Sequence, residues 1–237
     1  MADALMRILV TRPAEDAREL SQKLVAMEHE VVIAPLLKIL YADGPEILLD
    51  GVQAILATSA NGVRAIARRT QRRDVPLFAV GPQTEAEARS YGFPHVRNAE
   101  GDAMALARAT LSWAMPKNGV LLHAAGAEAP KLLAMELEKH GFTVRREVLY
   151  EARIAGSLPD IAAEALRSDT LDAVMHFSPR VATAFADCVR EAGLESPCKR
   201  LISLCISEAT AKALSPLHFR EIRIAKRPNQ QALLELL

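Results

Sequence analysis

The stretch Ala54-Ile55-Leu56-Ala57-Thr58-Ser59-Ala60-Asn61-Gly62-Val63-Arg64-Ala65 decides how the chain is read. Its first residues form an apolar run of the kind a strand buried on both faces shows. From Val63 and Ile66 onward the apolar positions recur at helical spacing. Thr58, Ser59 and Asn61, between the two, are all good N-cap residues. A helix that starts where a strand ends points its free N–H groups and the positive end of its dipole into one place, which favours a phosphate or carboxylate. Taken alone, such a turn is a helix cap. Its meaning depends on whether it recurs.

It recurs along the whole chain. Ile8-Leu9-Val10 closes at Thr11-Arg12-Pro13 and leads into a helix from Ala14 to Met27, then into the strand Val31-Val32-Ile33. Leu77-Phe78-Ala79-Val80 ends in Gly81-Pro82-Gln83-Thr84 before a helix that stops at Gly92, and Gly101-Asp102 opens a helix reaching Trp113. Val120-Leu121-Leu122 is followed by a helix from Pro130 to His140, stopped by Gly141, and by a strand from Thr143 to Leu149. Ala173-Val174-Met175 enters His176-Phe177-Ser178-Pro179-Arg180, and the strand Leu201 to Ile206 enters Ser207-Glu208-Ala209-Thr210. Ile222-Arg223-Ile224 is the last strand, and Arg227-Pro228-Asn229 opens the terminal helix. Leu36 to Pro45 and Tyr150 to Pro159 read as connectors, marked by Asp43-Gly44-Pro45, Gly156 and Pro159. Strands alternating with helices predict α/β architecture, with parallel sheets covered on both faces and ligands at the carboxyl ends of strands.

The halves of the chain repeat this pattern. Ile8 to Lys38 aligns without a gap on Val120 to Tyr150, which puts His29 on Gly141, Val32 on Val144 and Leu37 on Leu149. Ala54 to Ser59 matches Ala173 to Ser178, and Val80 to Glu85 matches Ile206 to Ala211. Val96-Arg97 matches Ile222-Arg223, with Asp102 opposite Pro228. Two similar units are therefore expected. Ser59 pairs with Ser178 and Thr84 with Thr210, as four capped helix starts facing one cleft. Hydroxyl and N–H donors in that number suit a flexible ligand with several carboxylates.

Bulk properties exclude other classes. Lys plus Arg and Asp plus Glu are equal at 29 each, so no basic excess points to nucleic acid. No apolar run approaches the roughly 20 residues of a membrane span, and the N-terminus reads into a strand rather than a signal-peptide core. Cys188, Cys198 and Cys205 form an odd set without metal-ligand spacing, which suggests reduced thiols. His29, His95, His123, His140, His176 and His218 are scattered; His123 and His176 fall in strand-end turns, where packing accounts for them without a ligand. Neither G-x-G-x-x-G after the first strand nor G-x-x-x-x-G-K-[ST] is present, so nucleotide sites are unsupported. A cytoplasmic monomer acting on a small molecule is expected, with no nucleic-acid or membrane partner.

Val10-Thr11-Arg12-Pro13, Thr58 to Val63, Val80 to Thr84, Gly101-Asp102-Ala103, Val148 to Glu151 and Phe177-Ser178-Pro179, in that order and spacing, resemble the uroporphyrinogen-III synthase family over essentially the whole chain. The resemblance implies two flavodoxin-like, doubly wound domains joined by a two-stranded linker. Residues 1–37 with 153–237 form a discontinuous domain, 41–149 an inserted one, and 36–45 and 150–159 the linkers. It also implies closure of the linear tetrapyrrole hydroxymethylbilane to uroporphyrinogen III, with inversion of ring D, loss of water, and no metal or organic cofactor. The chain departs from the family at Ser207-Glu208, where a Gly-Pro-like turn is usual, and Glu208 is expected to point outward. It departs again at His123-Ala124-Ala125, which lacks the arginine often found after that strand.

Catalysis of this kind is mainly orientation of the substrate, with a proton donor to expel the hydroxyl. Tyr150 matches the family's tyrosine and is the candidate acid. A packed hinge aromatic is the other reading of it. Thr11, Arg12, Ser59, Asn61, Gly81, Thr84, Ser178, Arg180 and Thr210 are the candidate substrate-binding residues, against simple capping or solvated charge. Arg64 is open in the same way. From another class, a non-catalytic two-lobed binding or sensor protein for an acidic metabolite would show the same capped turns.

Overall fold

A computed structural model of the chain describes residues 5–237. The chain opens with β1 (Arg7–Val10), α1 (Ala14–Ala26), β2 (Glu30–Ile33), β3 (Leu37–Tyr41) and β4 (Val52–Ala57). It continues through α2 (Ala60–Arg69), β5 (Leu77–Ala79), α3 (Pro82–Ser90), β6 (Val96–Asn98) and α4 (Ala103–Trp113). A short 3-10 turn at Pro116–Asn118 precedes β7 (Val120–Gly126), α5 (Leu132–Lys139) and β8 (Val144–Ile154). Then come α6 (Asp160–Arg167), β9 (Ala173–His176), α7 (Pro179–Glu191) and α8 (Glu195–Cys198). The chain ends with β10 (Ile202–Cys205), α9 (Glu208–Ala213), β11 (Glu221–Ile224) and α10 (Gln230–Leu234). The 3-10 turn and α8 carry too little periodicity to be read from the sequence.

The chain divides into two compact units, residues 1–38 with 153–237 and residues 39–152. The first holds a sheet of order β11-β10-β9-β1-β2, in which each strand is parallel to its neighbours. Its strands are almost uniformly apolar because both faces are covered. Leu20, Leu24 and Leu233, from α1 and α10, pack on Ile8, Val10 and Met175. On the other face Leu166, Phe185 and Val189, from α6 and α7, pack on Leu9, Val32 and Val174.

The second unit carries the order β8-β7-β4-β5-β6, again parallel. Leu106, Leu133 and Leu137, from α4 and α5, cover Ala54, Leu56 and Leu121. Val63, Ile66 and Ala88, from α2 and α3, cover Ile55, Leu77 and Leu122. The two sheets have one strand order, 2-1-3-4-5 in the first unit and the same order entered at a different strand in the second, which is the flavodoxin-like arrangement.

The gapless register between the halves is corrected by one residue. Leu20 and Leu24 face the core of their unit as Leu133 and Leu137 face that of theirs, whereas the gapless alignment sets Leu20 on the exposed Leu132 and Leu24 on Glu136. The left-handed residues after α1 and α5 agree with the shift: Glu28 (φ 65°) and Gly141 (φ 81°) are equivalent, so Gly141 answers Glu28 and not His29. Strand pairing agrees too, since Ile8 pairs Val31 and Ala173 while Leu121 pairs Val144 and Ala54. In the same way Asp102 answers the cap Asn229, not Pro228. A slip of one residue inverts every side chain in a strand. Apolar runs buried on both faces do not reveal it.

The connectors are strands. Leu36–Pro45 contains β3, and the strand expected to end at Leu149 runs on to Ile154. Within the first unit the Ala155 N–H donates to the Leu36 carbonyl at 3.0 Å, and within the second the Ala42 N–H donates to the Leu149 carbonyl at 2.8 Å. These bonds make β3 an antiparallel neighbour of β8.

Gly62 lets α2 sit close on β7. A Cβ there would lie 2.6 Å from the Ala124 carbonyl oxygen, which is backbone and cannot swing aside. Gly62→Ala is expected to lower stability by about 1–3 kcal/mol, the usual range for overpacking, seen as an earlier thermal transition. An unchanged transition temperature would show that α2 shifts without cost.

Candidate active site

Ser59 has the extended backbone of an N-cap (φ −161°, ψ 159°), and its Oγ accepts the Gly62 N–H at 3.2 Å. The same oxygen lies 2.7 Å from the Tyr150 phenol oxygen. The sheet order explains the meeting: β4, β7 and β8 are successive neighbours, so residues far apart in sequence reach one edge together. The order reverses between β4 and β7, which makes this edge the topological switch point where α/β sheets take ligands.

Tyr150 is held by what surrounds it. The pairing of β7 with β8 shifts by a residue between Ala125 and Gly126, which sets Gly126 opposite Tyr150. A Cβ on Gly126 would stand 2.9 Å from Cε2 and Cζ of the ring and 3.1 Å from its oxygen. Arg146 Nη2 donates to the carbonyls of Gly126 (2.9 Å) and Ala129 (3.2 Å) and so fixes the turn after β7. Burial raises the Tyr150 phenol above its ordinary value, with the Ser59 hydrogen bond opposing, so the group is a protonated donor at neutral pH. Gly126 and Arg146 were not picked out from the sequence. An ordinary glycine at a strand end and an arginine inside a strand carry no signal by themselves.

The other candidates of this unit are arranged differently. Asn61 Oδ1 accepts from Arg64 Nη1 at 3.0 Å. Arg64 is itself buried and makes a two-pronged contact with Glu87 at 2.6 and 3.1 Å, tying α2 to α3. Its charge is matched inside the protein, so it is neither a solvated surface charge nor a bare cation awaiting a carboxylate. Gly81 is the N-cap of α3, extended and with open space where a Cβ would go. Thr84 is not a cap: it lies in the first turn of α3, buried.

In the first unit Ser178 caps α7, accepting the Val181 N–H at 3.3 Å, as Ser59 caps α2. Thr11 is buried and donates to the Met175 carbonyl at 3.2 Å, joining the ends of β1 and β9. Arg12 is also buried. It donates to Gln230 Oε1 at 2.8 Å, lies 3.4 Å from Asp16 and stacks 4.4 Å over the Phe177 ring. Arg180 is exposed on the first turn of α7. Thr210, like Thr84, is buried in a first turn. The cap there is Ser207, whose Oγ lies 3.0 Å from Thr210 Oγ1. Glu208 is exposed.

His123 and His176 do not lie in turns. Both are in strands and buried, with no hydrogen-bond partner for either ring nitrogen among the described residues. Among the described residues no group of three His, Cys, Asp or Glu is placed to hold a metal ion, and the three cysteines are buried and free. No helix among them is long and apolar enough to cross a membrane. A cavity of about 510 Å³ lies at the amino end of the second sheet, walled by Phe78, His95, Arg97 and Trp113. It shares no residue with the strand-end turns, so its size does not make it the site.

Residues 18–235 match the family model described as uroporphyrinogen-III synthase HemD. The chain belongs to the uroporphyrinogen-III synthase family. Solved structures similar to it include the uroporphyrinogen-III synthetase of Helicobacter pylori, at 16% identity and a TM-score of 0.62, with 98% of each chain covered. A mutant uroporphyrinogen III synthase of the extremely thermophilic bacterium Thermus thermophilus matches at 18% identity and a TM-score of 0.54, covering 98% of this chain and 96% of that one. At such identities the likeness is one of fold. No curated protein matches the chain. Membership in the synthase family makes the chain an enzyme, a lyase of tetrapyrrole synthesis that acts on a small tetrapyrrole. The reading as a non-catalytic sensor is thereby set aside.

Proposed function

We propose that the chain closes hydroxymethylbilane to uroporphyrinogen III, inverting ring D and releasing one water. The Tyr150 phenol gives its proton to the departing hydroxyl, and loss of water leaves an azafulvenium carbon. The substituted carbon of ring D attacks it, and the spiro intermediate fragments and recloses in the inverted sense. The proton released as the last pyrrole regains aromaticity restores the phenol, so protons balance over the cycle. The electron-rich pyrroles drive these steps, and the protein's contribution is orientation plus one well-placed donor. The observation that carries the reading is the Tyr150 phenol at the switch point of a family member, kept protonated by burial and 2.7 Å from Ser59.

The groups assigned to the substrate's carboxylates are the backbone N–H groups at helix starts, those beside Asn61, Gly81, Ser178 and Arg180. Arg12, its charge matched by Asp16, supports the turn before Ser178 by stacking on Phe177. Thr11, Thr84 and Thr210, with their hydroxyls buried, act by shaping these turns. The protein uses no metal or organic cofactor in this scheme, works as a monomer in the cytoplasm, and takes no nucleic-acid or membrane partner. The test is direct. Freshly made hydroxymethylbilane is incubated with the protein and the uroporphyrin isomers are resolved after oxidation. Predominance of the type III isomer is expected, and the spontaneous type I isomer alone would overturn the assignment.

A further inference from the structure

We propose that Ser59 and Gly126 are positioning residues for Tyr150: Ser59 sets the direction of the phenol's proton and Gly126 clears the space in which its ring stands. The inference rests on the reading of Tyr150 as the acid.

A tyrosine hydroxyl has one proton to give. If Tyr150 gave it to Ser59, nothing would remain for a leaving group. The surroundings of Ser59 favour the opposite sense. Its Oγ already accepts the Gly62 N–H, at the positive end of the ten-residue helix α2. An oxygen that accepts there is polarised to donate onward, and successive hydrogen bonds in one direction strengthen each other. The chain then runs from the Gly62 N–H to Ser59 Oγ, and from the Ser59 hydroxyl to the Tyr150 oxygen. The Tyr150 proton is left pointing away from Ser59.

The ring needs its own space. Gly126 is fully backed by structure: it is buried at the end of β7, its carbonyl is held by Arg146, and the pairing shift after Ala125 puts it opposite Tyr150. A side chain there meets Cε2 and Cζ at 2.9 Å. Gly126 is not among the residues of positive φ, so alanine suits its backbone and acts on the ring alone. The least costly relief is rotation of the ring, which takes the phenol away from Ser59.

The test is a double-mutant cycle in the full chain. Gly126→Ala and Ser59→Ala are each made in the parent and in Tyr150→Phe, and kcat and KM are measured with hydroxymethylbilane. Each single variant is expected to lose about tenfold to a hundredfold in kcat with KM little changed, the scale of a misplaced reacting group. In the Tyr150→Phe background neither should cost more than about twofold, because the group they position is gone. Ser59→Thr, which keeps the hydroxyl, is expected to recover most of the lost rate. Equal losses with and without Tyr150 would overturn the inference.

A second readout does not depend on turnover. Ultraviolet titration of the phenols, with Tyr150→Phe subtracted to remove Tyr41 and Tyr91, should show the Tyr150 transition displaced in both variants. An undisplaced transition would likewise overturn it. Should Tyr150→Phe keep full activity, the acid assignment fails while the titration still reports whether Ser59 and Gly126 hold the phenol. Should Gly126→Ala not fold, the Ser59→Ala arm decides the same question.

Discussion

Replacing Tyr150 by phenylalanine is expected to lower turnover of hydroxymethylbilane by about a hundredfold, the lower end of what a positioned proton donor contributes. The lower end applies because the substrate's own pyrrole expels the hydroxyl readily once it is protonated. The fold should survive, since the ring stays against Gly126 and only the hydrogen bond to Ser59 is lost, at about 1 kcal/mol. The pH profile gives an independent check. Burial raises the phenol, so its acid form persists throughout the neutral range and is lost only as pH climbs above the ordinary tyrosine value. Any fall of parent activity between neutral pH and that point belongs to other groups and should persist in Tyr150→Phe. If Tyr150→Phe matches the parent in kcat, the phenol is a packed aromatic and water supplies the proton.

Much of this was legible in the sequence, for identifiable reasons. Strand-turn-helix units are local, so Ser59 and Ser178 could be picked as caps, and both accept N–H groups from the residue three positions on. Beside Gly81 the hydroxyl of Thr84 suggests a cap, and the repeat carries that reading to Thr210, past Ser207, which is the actual cap. The helices begin earlier, and the threonines turn inward. What spacing does not encode is contact between strands. Ser59 and Tyr150 are 91 residues apart, and their hydroxyls meet only because β4, β7 and β8 are neighbours. The partner of Arg64 was invisible for the same reason. Glu87 lies on another helix, and nothing near Arg64 announces a buried ion pair. The repeat could be seen in outline. Its register could not, because runs such as Ile8-Leu9-Val10 and Leu121-Leu122 are apolar at every position and fit either face.

Two of the three buried histidines, His123 and His176, should make the protein acid-sensitive well above the range where carboxylates titrate. His176 is fully enclosed, edge-on to the Phe185 ring at 5.0 Å, and burial pulls it down to about 3. His123, inside β7 and opposite Arg146 on β8, is pulled down to about 4, first by burial and then by that guanidinium. The unfolded chain protonates both near the ordinary histidine value of about 6.5, before the folded chain can. Their neutral forms therefore contribute full stability above that pH. The contribution is lost progressively as pH falls toward the folded values, since the unfolded state binds more protons throughout that window. At about pH 5 the loss is about 2 kcal/mol for each histidine, from 1.36 kcal/mol per unit over the interval below 6.5. Asp74, Glu85 and Asp102 are held below the usual carboxylate range by their hydrogen bonds, so the stability they contribute is present at both neutral and mildly acid pH and is lost only in stronger acid. Urea unfolding at about pH 7.5 and about pH 5 should thus show a marked drop in midpoint for the parent. His123→Leu/His176→Leu, whatever its midpoint at the higher pH, should show a much smaller drop. A double variant that loses as much between the two pH values as the parent would place the acid sensitivity elsewhere.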